Sequence, residues 1–287
     1  MESKVILITG ASDGIGKETA KALAKQGHTV IIHGRDKQKT QAAYEEIKAE
    51  TGNNNVDFMI ADFLSLAEVK AFADKFKQKY DCLDVLVNNA GAQFTDKRET
   101  TDEGHEKTMV INLFAPFLLT TLLLDVLKKS PSARVVTVSS ASHSMSGKID
   151  LNDIELKQNY SMSKSYAVSK LYVIWVMQRF VSEMKKAGIE NITFNSVHPG
   201  SAPTSLARES AKMLKFRIIL FLWKPMMTTV AKAASSSIKA AISPELEGVT
   251  GKYFGLKGEE KPNAKYYSLE NEKIVWDYCV KIAKPYL

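Results

Sequence analysis

Tyr166 and Lys170 stand four residues apart in a segment of helical periodicity that continues through Leu171, Ile174, Trp175, Gln178 and Phe180. That spacing puts a phenol and an ammonium on one helical face. A free tyrosine titrates near about 10 and is a poor base at neutral pH. An adjacent positive charge favours phenolate, so Lys170 is expected to lower the pKa of Tyr166 and make it a general acid and base. Ser140 ends the apolar run Ala133–Val138 and can donate to a substrate oxygen. Asn112 lies among Met109, Val110, Ile111, Leu113 and Phe114, so its amide must be buried and hydrogen-bonded. It is expected to anchor a water linking Lys170 to solvent. A purely structural asparagine is the competing reading.

Such a set needs a partner for the proton, and the N-terminal stretch supplies one. Val5–Ile8 is a buried apolar run, followed by Thr9, by glycines at 10, 14 and 16, and by a helical segment from Lys17. Strand, glycine turn and helix N-terminus together hold a dinucleotide pyrophosphate, with Gly10, Ser12, Asp13, Gly14, Ile15 and Gly16 facing it. Hydride transfer between a nicotinamide and a carbon requires a proton to move at the substrate oxygen, the work assigned here to Tyr166, Lys170 and Ser140. The positive nicotinamide ring is expected to join Lys170 in favouring phenolate, and Lys170 also to bond the nicotinamide ribose.

The chain then alternates strand and helix for about two hundred residues. A second strand ends at Gly34-Arg35, where a dinucleotide fold inspects the adenosine ribose. Gly34 leaves room and the Arg35 guanidinium suits a 2′-phosphate, so NADP(H) is expected over NAD(H). Arg35 pairing with Asp36 or capping the next helix is the alternative, and Asp13 and Asp36 would repel a phosphate if they faced it. Asp62, with Phe63 beside it, closes a third strand and is a candidate adenine contact or a helix N-cap. Asn89, Ala90 and Gly91 follow the fourth strand as a wall for a flat cofactor. Segment 102–128 reads as one helix kinked by Pro116, and 141–160 as a long loop.

Thr9-Gly10-x3-Gly14-x-Gly16, Asp62, Asn88-Asn89-Ala90-Gly91, Asn112, Ser140, Tyr166-x3-Lys170 and His198-Pro199-Gly200 together resemble the short-chain dehydrogenase/reductase family, in order, over residues 4 to about 255. The resemblance implies a doubly wound α/β Rossmann fold, here one domain over 1–287 with a mostly parallel seven-stranded sheet. It also implies a substrate lid at about 201–230 and a C-terminal extension at about 256–287. Pro199, Gly200 and Thr204 would hold the nicotinamide carboxamide and pyrophosphate. Gly16–Ala20, Arg35-Asp36 and Val138–His143 resemble the retinol-dehydrogenase-like branch, which commonly uses NADP(H). The interval from Ser140 to Tyr166 is longer than is usual, which leaves Ser139 and Ser140 as alternative substrate-facing hydroxyls; Ser140 is preferred because it lies farther beyond the strand.

Residues 206–227 are apolar, edged by Arg208, Lys212, Lys215, Arg217 and Lys224. An apolar lid over an apolar substrate, a peripheral membrane contact, and a buried or homo-oligomer contact all remain open for it. The formal charge of +7 comes from 39 basic and 32 acidic residues interleaved along helices, the pattern of solvated faces, and no nucleic-acid partner is expected. Cys82 and Cys279 match no metal spacing, and no metal site is expected. With no signal segment ahead of the first strand, the expected location is cytoplasmic. The function expected is NADP(H)-dependent hydride transfer at the carbonyl or alcohol carbon of an apolar molecule such as a retinoid, steroid or long-chain aldehyde. A non-catalytic NADP(H)-binding regulatory or scaffold protein is the alternative, although a sensor has no need of Ser140.

Overall fold

The computed structural model describes residues 3–200 and 228–287. Thr204 and the apolar segment 206–227 lie outside the described residues. Eight strands form one sheet in the order β3-β2-β1-β4-β5-β6-β7-β8. These are β1 (Val5–Ile8), β2 (Thr29–Gly34), β3 (Val56–Ile60), β4 (Val85–Asn88), β5 (Ala133–Val138), β6 (Ile192–Val197), β7 (Tyr253–Gly255) and β8 (Gly258–Glu260). The first seven run parallel, and β8 runs antiparallel to β7. The order reverses between β1 and β4, which opens a crevice beyond their carboxyl ends.

The eighth strand corrects the expectation of seven. The stretch after residue 255 reads as a charged loop, but Gly255 pairs with Gly258 across a tight turn and sets Glu259 and Glu260 on the sheet edge. Charged side chains on a short edge strand discourage further strand addition. The remainder of the extension is a helix, Leu269–Ala283, whose Trp276 packs edge-on against Phe117 and Phe180 at 5.1 and 4.8 Å.

Alternation along the buried strands feeds two cores. Leu7 and Ile31 face one layer, with helices α3 (Leu66–Lys79), α4 (Ala115–Leu122) and α5 (Met162–Lys186). Ile6, Ile8, Val30 and Ile32 face the other, which α1 (Gly14–Ala24), α2 (Lys37–Thr51) and α6 (Val230–Ile242) cover. Continuous apolar strands are what a sheet covered on both faces requires.

Segment 102–128 is not the single kinked helix expected from its periodicity. A turn at Lys107–Met109 leads into a π-helical turn at Val110–Phe114, where the Ala115 N–H bonds the Val110 carbonyl five residues back. Pro116 then sits in the first turn of α4, where its missing N–H costs little. The irregularity therefore falls at Asn112, as π-bulges commonly do near functional sites.

A buried carboxylate fastens this region to the tail. Glu155 accepts from the Tyr278 hydroxyl at 2.5 Å, the Glu106 N–H at 2.7 Å and His105 Nδ1 at 3.0 Å. Burial pushes its pKa up, but the bonds from His105, Tyr278 and Glu106 hold it down at about 2. Its contribution to stability is therefore complete above the ordinary glutamate range and is lost as pH falls towards 2. Glu155→Ala, which strands three donors, is expected to lower the unfolding free energy by about 2–4 kcal/mol in urea titrations at pH 7.

Candidate active site

A cleft of about 560 Å³ runs along the carboxyl rim of the sheet, within the range of small-molecule and cofactor sites. Of the described residues expected to act in catalysis or touch the cofactor, all except Asn112 line it, while Thr9, Asn88 and His198 of the wider motif set do not.

The glycine turn after β1 is shaped by absent side chains. Gly10 and Gly14 take positive φ of 64° and 54°. A Cβ on Gly16 would lie 2.5 Å from both Asn89 Nδ2 and the Gly10 carbonyl, and one on Gly10 would lie 2.8 Å from the Ala90 Cα. Asn89 braces the turn: its Nδ2 donates to the Thr9 and Gly10 carbonyls at 2.7 and 3.0 Å, while Thr9 Oγ1 accepts from the Asn89 and Ala90 N–H groups at 3.0 and 2.9 Å. These bonds replace the ladder where β1 and β4 diverge. The geometry fits a dinucleotide pyrophosphate, because backbone lies open exactly where side chains would obstruct an anion at the α1 N-terminus.

At the end of β2, Arg35 and Lys39 are exposed on the cleft wall beside Ser12. Gly34 has no room for a Cβ, which would collide with Thr40 Oγ1. The two acids of concern are turned to their own helices. Asp36 Oδ1 accepts from the Lys39 N–H at 3.0 Å and caps α2, and Asp13 Oδ1 accepts from the Gly14 N–H at 2.7 Å and caps α1. Asp62 does not cap α3, a role taken by Ser65; it accepts from the Leu64 N–H at 3.0 Å. Phe63 turns its ring inward, stacked 3.9 Å from the ring of His33.

His33 escaped the sequence reading. Its Nδ1 accepts from the Gly10 N–H at 3.2 Å and its Nε2 donates to the Ala61 carbonyl at 3.0 Å, so one neutral ring ties the ends of β1, β2 and β3. A polar residue amid the apolar run of β2, two positions before Arg35, was the available signal.

At the other end, α5 carries the acid-base pair, capped by Ser161. Tyr166 and Lys170 are both buried, and Lys170 Nζ lies 5.8 Å from the Tyr166 ring centre while donating to the Val138 carbonyl at 2.9 Å. Burial pushes Lys170 down to about 7 and Tyr166 up to about 12, the latter opposed by a hydrogen bond with Ser140. The expected lowering of Tyr166 by its lysine is thus not a property of the protein alone. Removing water penalises phenolate and ammonium alike, and the half-discharged lysine is a weak counter-charge.

The two serines part. Ser139 is buried and donates to the Lys170 carbonyl at 2.7 Å, whereas Ser140 is half-buried beside Tyr166. Asn112 lies behind the wall. Its Nδ2 donates to the Ala92 carbonyl at 2.9 Å and to Ser169 Oγ at 3.2 Å, and its Oδ1 accepts from the Ala92 N–H at 3.2 Å. A Cβ on Gly91 would come 2.7 Å from Asn112 Oδ1 and 3.2 Å from Lys170 Nζ, so a bare backbone separates amide and ammonium. Pro199 and Gly200, the latter with φ of 70°, close this end of the cleft.

A family model described as short chain dehydrogenase matches residues 4–215. The chain belongs to the short-chain dehydrogenase family. Human polyprenol dehydrogenase is 37% identical over 277 residues, covering 95% of this chain and 83% of that protein. Mouse retinol dehydrogenase 13 is 35% identical over 284 residues, covering 97% and 83%. Human retinol dehydrogenase 12 is 36% identical over 257 residues, covering 88% and 78%. Within the family, this short-chain dehydrogenase therefore falls in the retinol-dehydrogenase-like branch, and it is an oxidoreductase. Among solved structures, a short-chain dehydrogenase from Shigella flexneri complexed with NADP superposes with a TM-score of 0.69 at 26% identity, covering 90% of this chain and 98% of that one. One from Escherichia coli complexed with NADPH gives 0.68 at 26%, with the same coverage.

Burial lowers the His33 pKa to about 4, against the bond to Ala61 that raises it. Neutral His33 thus stabilises the rim fully above about 6.5, and the contribution disappears as pH falls through 4. The thermal midpoint of the unaltered chain should drop more steeply between pH 6 and pH 4 than that of His33→Gln, measured by circular dichroism.

Proposed function

We propose that this short-chain dehydrogenase uses NADP(H) to interconvert the alcohol and carbonyl forms of an elongated apolar molecule of the retinoid or polyprenol kind. The observation that carries the reading is the meeting of the Ser140 hydroxyl, the Tyr166 phenol and Lys170 at one end of a glycine-lined dinucleotide cleft. When bound, the nucleotide supplies or accepts the hydride. Every other task falls to the chain. Ser140 donates to the substrate oxygen and holds it near Tyr166. Tyr166 Oη gives up its proton to that oxygen in reduction and recovers it in oxidation. Lys170, poised near about 7, can return a proton to that end of the cleft at neutral pH and would bond the nicotinamide ribose. Asn112 holds Ala92 beside Gly91 and would anchor a water through which Lys170 exchanges its proton with solvent.

The 2′-phosphate preference is supported by the exposed Arg35 and Lys39 and by the engagement of Asp36 in its own helix cap. The apolar substrate is supported by Phe94, Ile111 and Met145 on the cleft wall, by the apolar sequence of 206–227, and by the names of the relatives.

Tyr166→Phe is expected to abolish NADPH-linked reduction of retinal while NADPH binding, followed by fluorescence, stays within about threefold; undiminished turnover would remove Tyr166 from the chemistry. Arg35→Ala with Lys39→Ala should weaken NADPH binding by about tenfold or more, the scale of one lost charge-assisted contact. NADH binding should hardly change. Equal losses for both nucleotides would overturn the 2′-phosphate assignment.

A further inference from the structure

The segment after β7 reaches back to the active site through two histidines. His143 lies in the turn that follows Ser140 (Ala141–Met145) and is buried. Its Nδ1 donates to the Ser140 carbonyl at 2.7 Å, and its Nε2 accepts from the Asn263 N–H at 2.9 Å. Those two bonds specify one neutral tautomer, with the proton on Nδ1. The Tyr253 hydroxyl lies 3.3 Å from the same Nδ1, and the two rings meet edge-on at 5.1 Å. On the far side of Tyr253, His198 is stacked at 5.4 Å; it accepts from the Gly200 N–H at 3.2 Å and donates to Glu260 at 3.0 Å. Residues 260–263 thus hold both walls of one end of the cleft, Ser140 through His143 and Gly200 through His198.

Ser140 must be held in one direction if its hydroxyl is to meet a substrate oxygen beside Tyr166. Ser140 is extended, with φ of −156° and ψ of 149°, and its hydroxyl also accepts from the Ser142 N–H at 3.2 Å. Among the described residues its carbonyl takes two bonds, both from residue 143: the main-chain N–H at 3.1 Å and the imidazole. The main-chain bond follows the turn and moves with it. Among the described residues, only the imidazole connects that carbonyl to a part of the molecule outside the turn.

We propose that His143 is a positioning residue that fixes Ser140 for substrate contact by fastening its carbonyl to the main chain at Asn263. The proposal rests on the functional reading above for its effect on turnover, but not for the fastening itself. The chemistry asks for a donor on one side of the ring and an acceptor on the other, and amide side chains can mimic each half separately. Asparagine at 143 places an N–H near the Nδ1 position, and glutamine places a carbonyl near the Nε2 position.

The test compares His143→Asn, His143→Gln and His143→Phe in the full chain, with NADPH and retinal as probe substrates and with amide hydrogen exchange read residue by residue. Asn and Gln each break one half of the link and Phe breaks both, so all three are expected to lower kcat about tenfold, the cost of a modestly misplaced contact, with KM for NADPH unchanged. Exchange at the Ser142 and His143 amides, which bond Ser140, should quicken in Gln and Phe and not in Asn. Exchange at the Asn263 amide should quicken in Asn and Phe and not in Gln. A kcat held within about threefold in Asn, in Gln or in Phe, or an Asn263 amide already unprotected in the unaltered chain, would overturn the proposal. Should Phe fail to fold, the Asn and Gln pair still decides it. A chain that turns over no retinal, alcohol or ketone would sink the functional reading, and the exchange pattern would then judge the fastening by itself.

Discussion

The structure depends on what replaces the β-ladder where β1 and β4 part. Two parallel strands that diverge leave carbonyls and N–H groups without partners, and buried backbone groups cannot be left so. Asn89 and Thr9 take up those bonds, and His33 does the same between the Gly10 turn and the end of β3. The crevice is held open by polar side chains that satisfy the backbone, and the glycines keep its floor bare. One set of bonds therefore closes the account for the fold and shapes the anion cradle.

The acid-base end follows an opposite logic. There the surroundings withdraw water from groups that chemistry needs charged, so the resting protein holds Tyr166 protonated and Lys170 near the edge of ionisation. A buried phenol and a buried ammonium each resist their charged form. A positive ring laid beside them would alter that balance for the phenol, which couples acid-base readiness to occupancy of the cleft.

The two ends are built from different parts of the chain. The nucleotide end is almost wholly N-terminal, from β1 to Gly91, and its contacts come from turns directly after strands. The reactive end draws on α5, the π-turn and the segment after β7, which come together only through long-range packing such as the Glu155 clamp and the aromatic contacts of Trp276.

That division explains what could be read in advance. Strand-turn-helix periods, the glycine spacing and the Tyr166–Lys170 pair are local patterns, each set by backbone sterics or helical pitch within a few residues, so the amino-acid sequence determined the fold class and the candidate residues by itself. The π-turn at Asn112, the edge strand β8, the bond from Ser139 to the Lys170 carbonyl, and the roles of His33 and His143 were decided by tertiary structure. Each depends on a partner far along the chain: Ala61 for His33, Asn263 for His143, the carbonyl of Lys170 for Ser139. The pKa of Tyr166 belongs with them. Spacing brings the lysine near, but burial, which only the assembled fold imposes, pushes the phenol of the protein by itself up to about 12, and the expected lowering also calls for the nicotinamide charge.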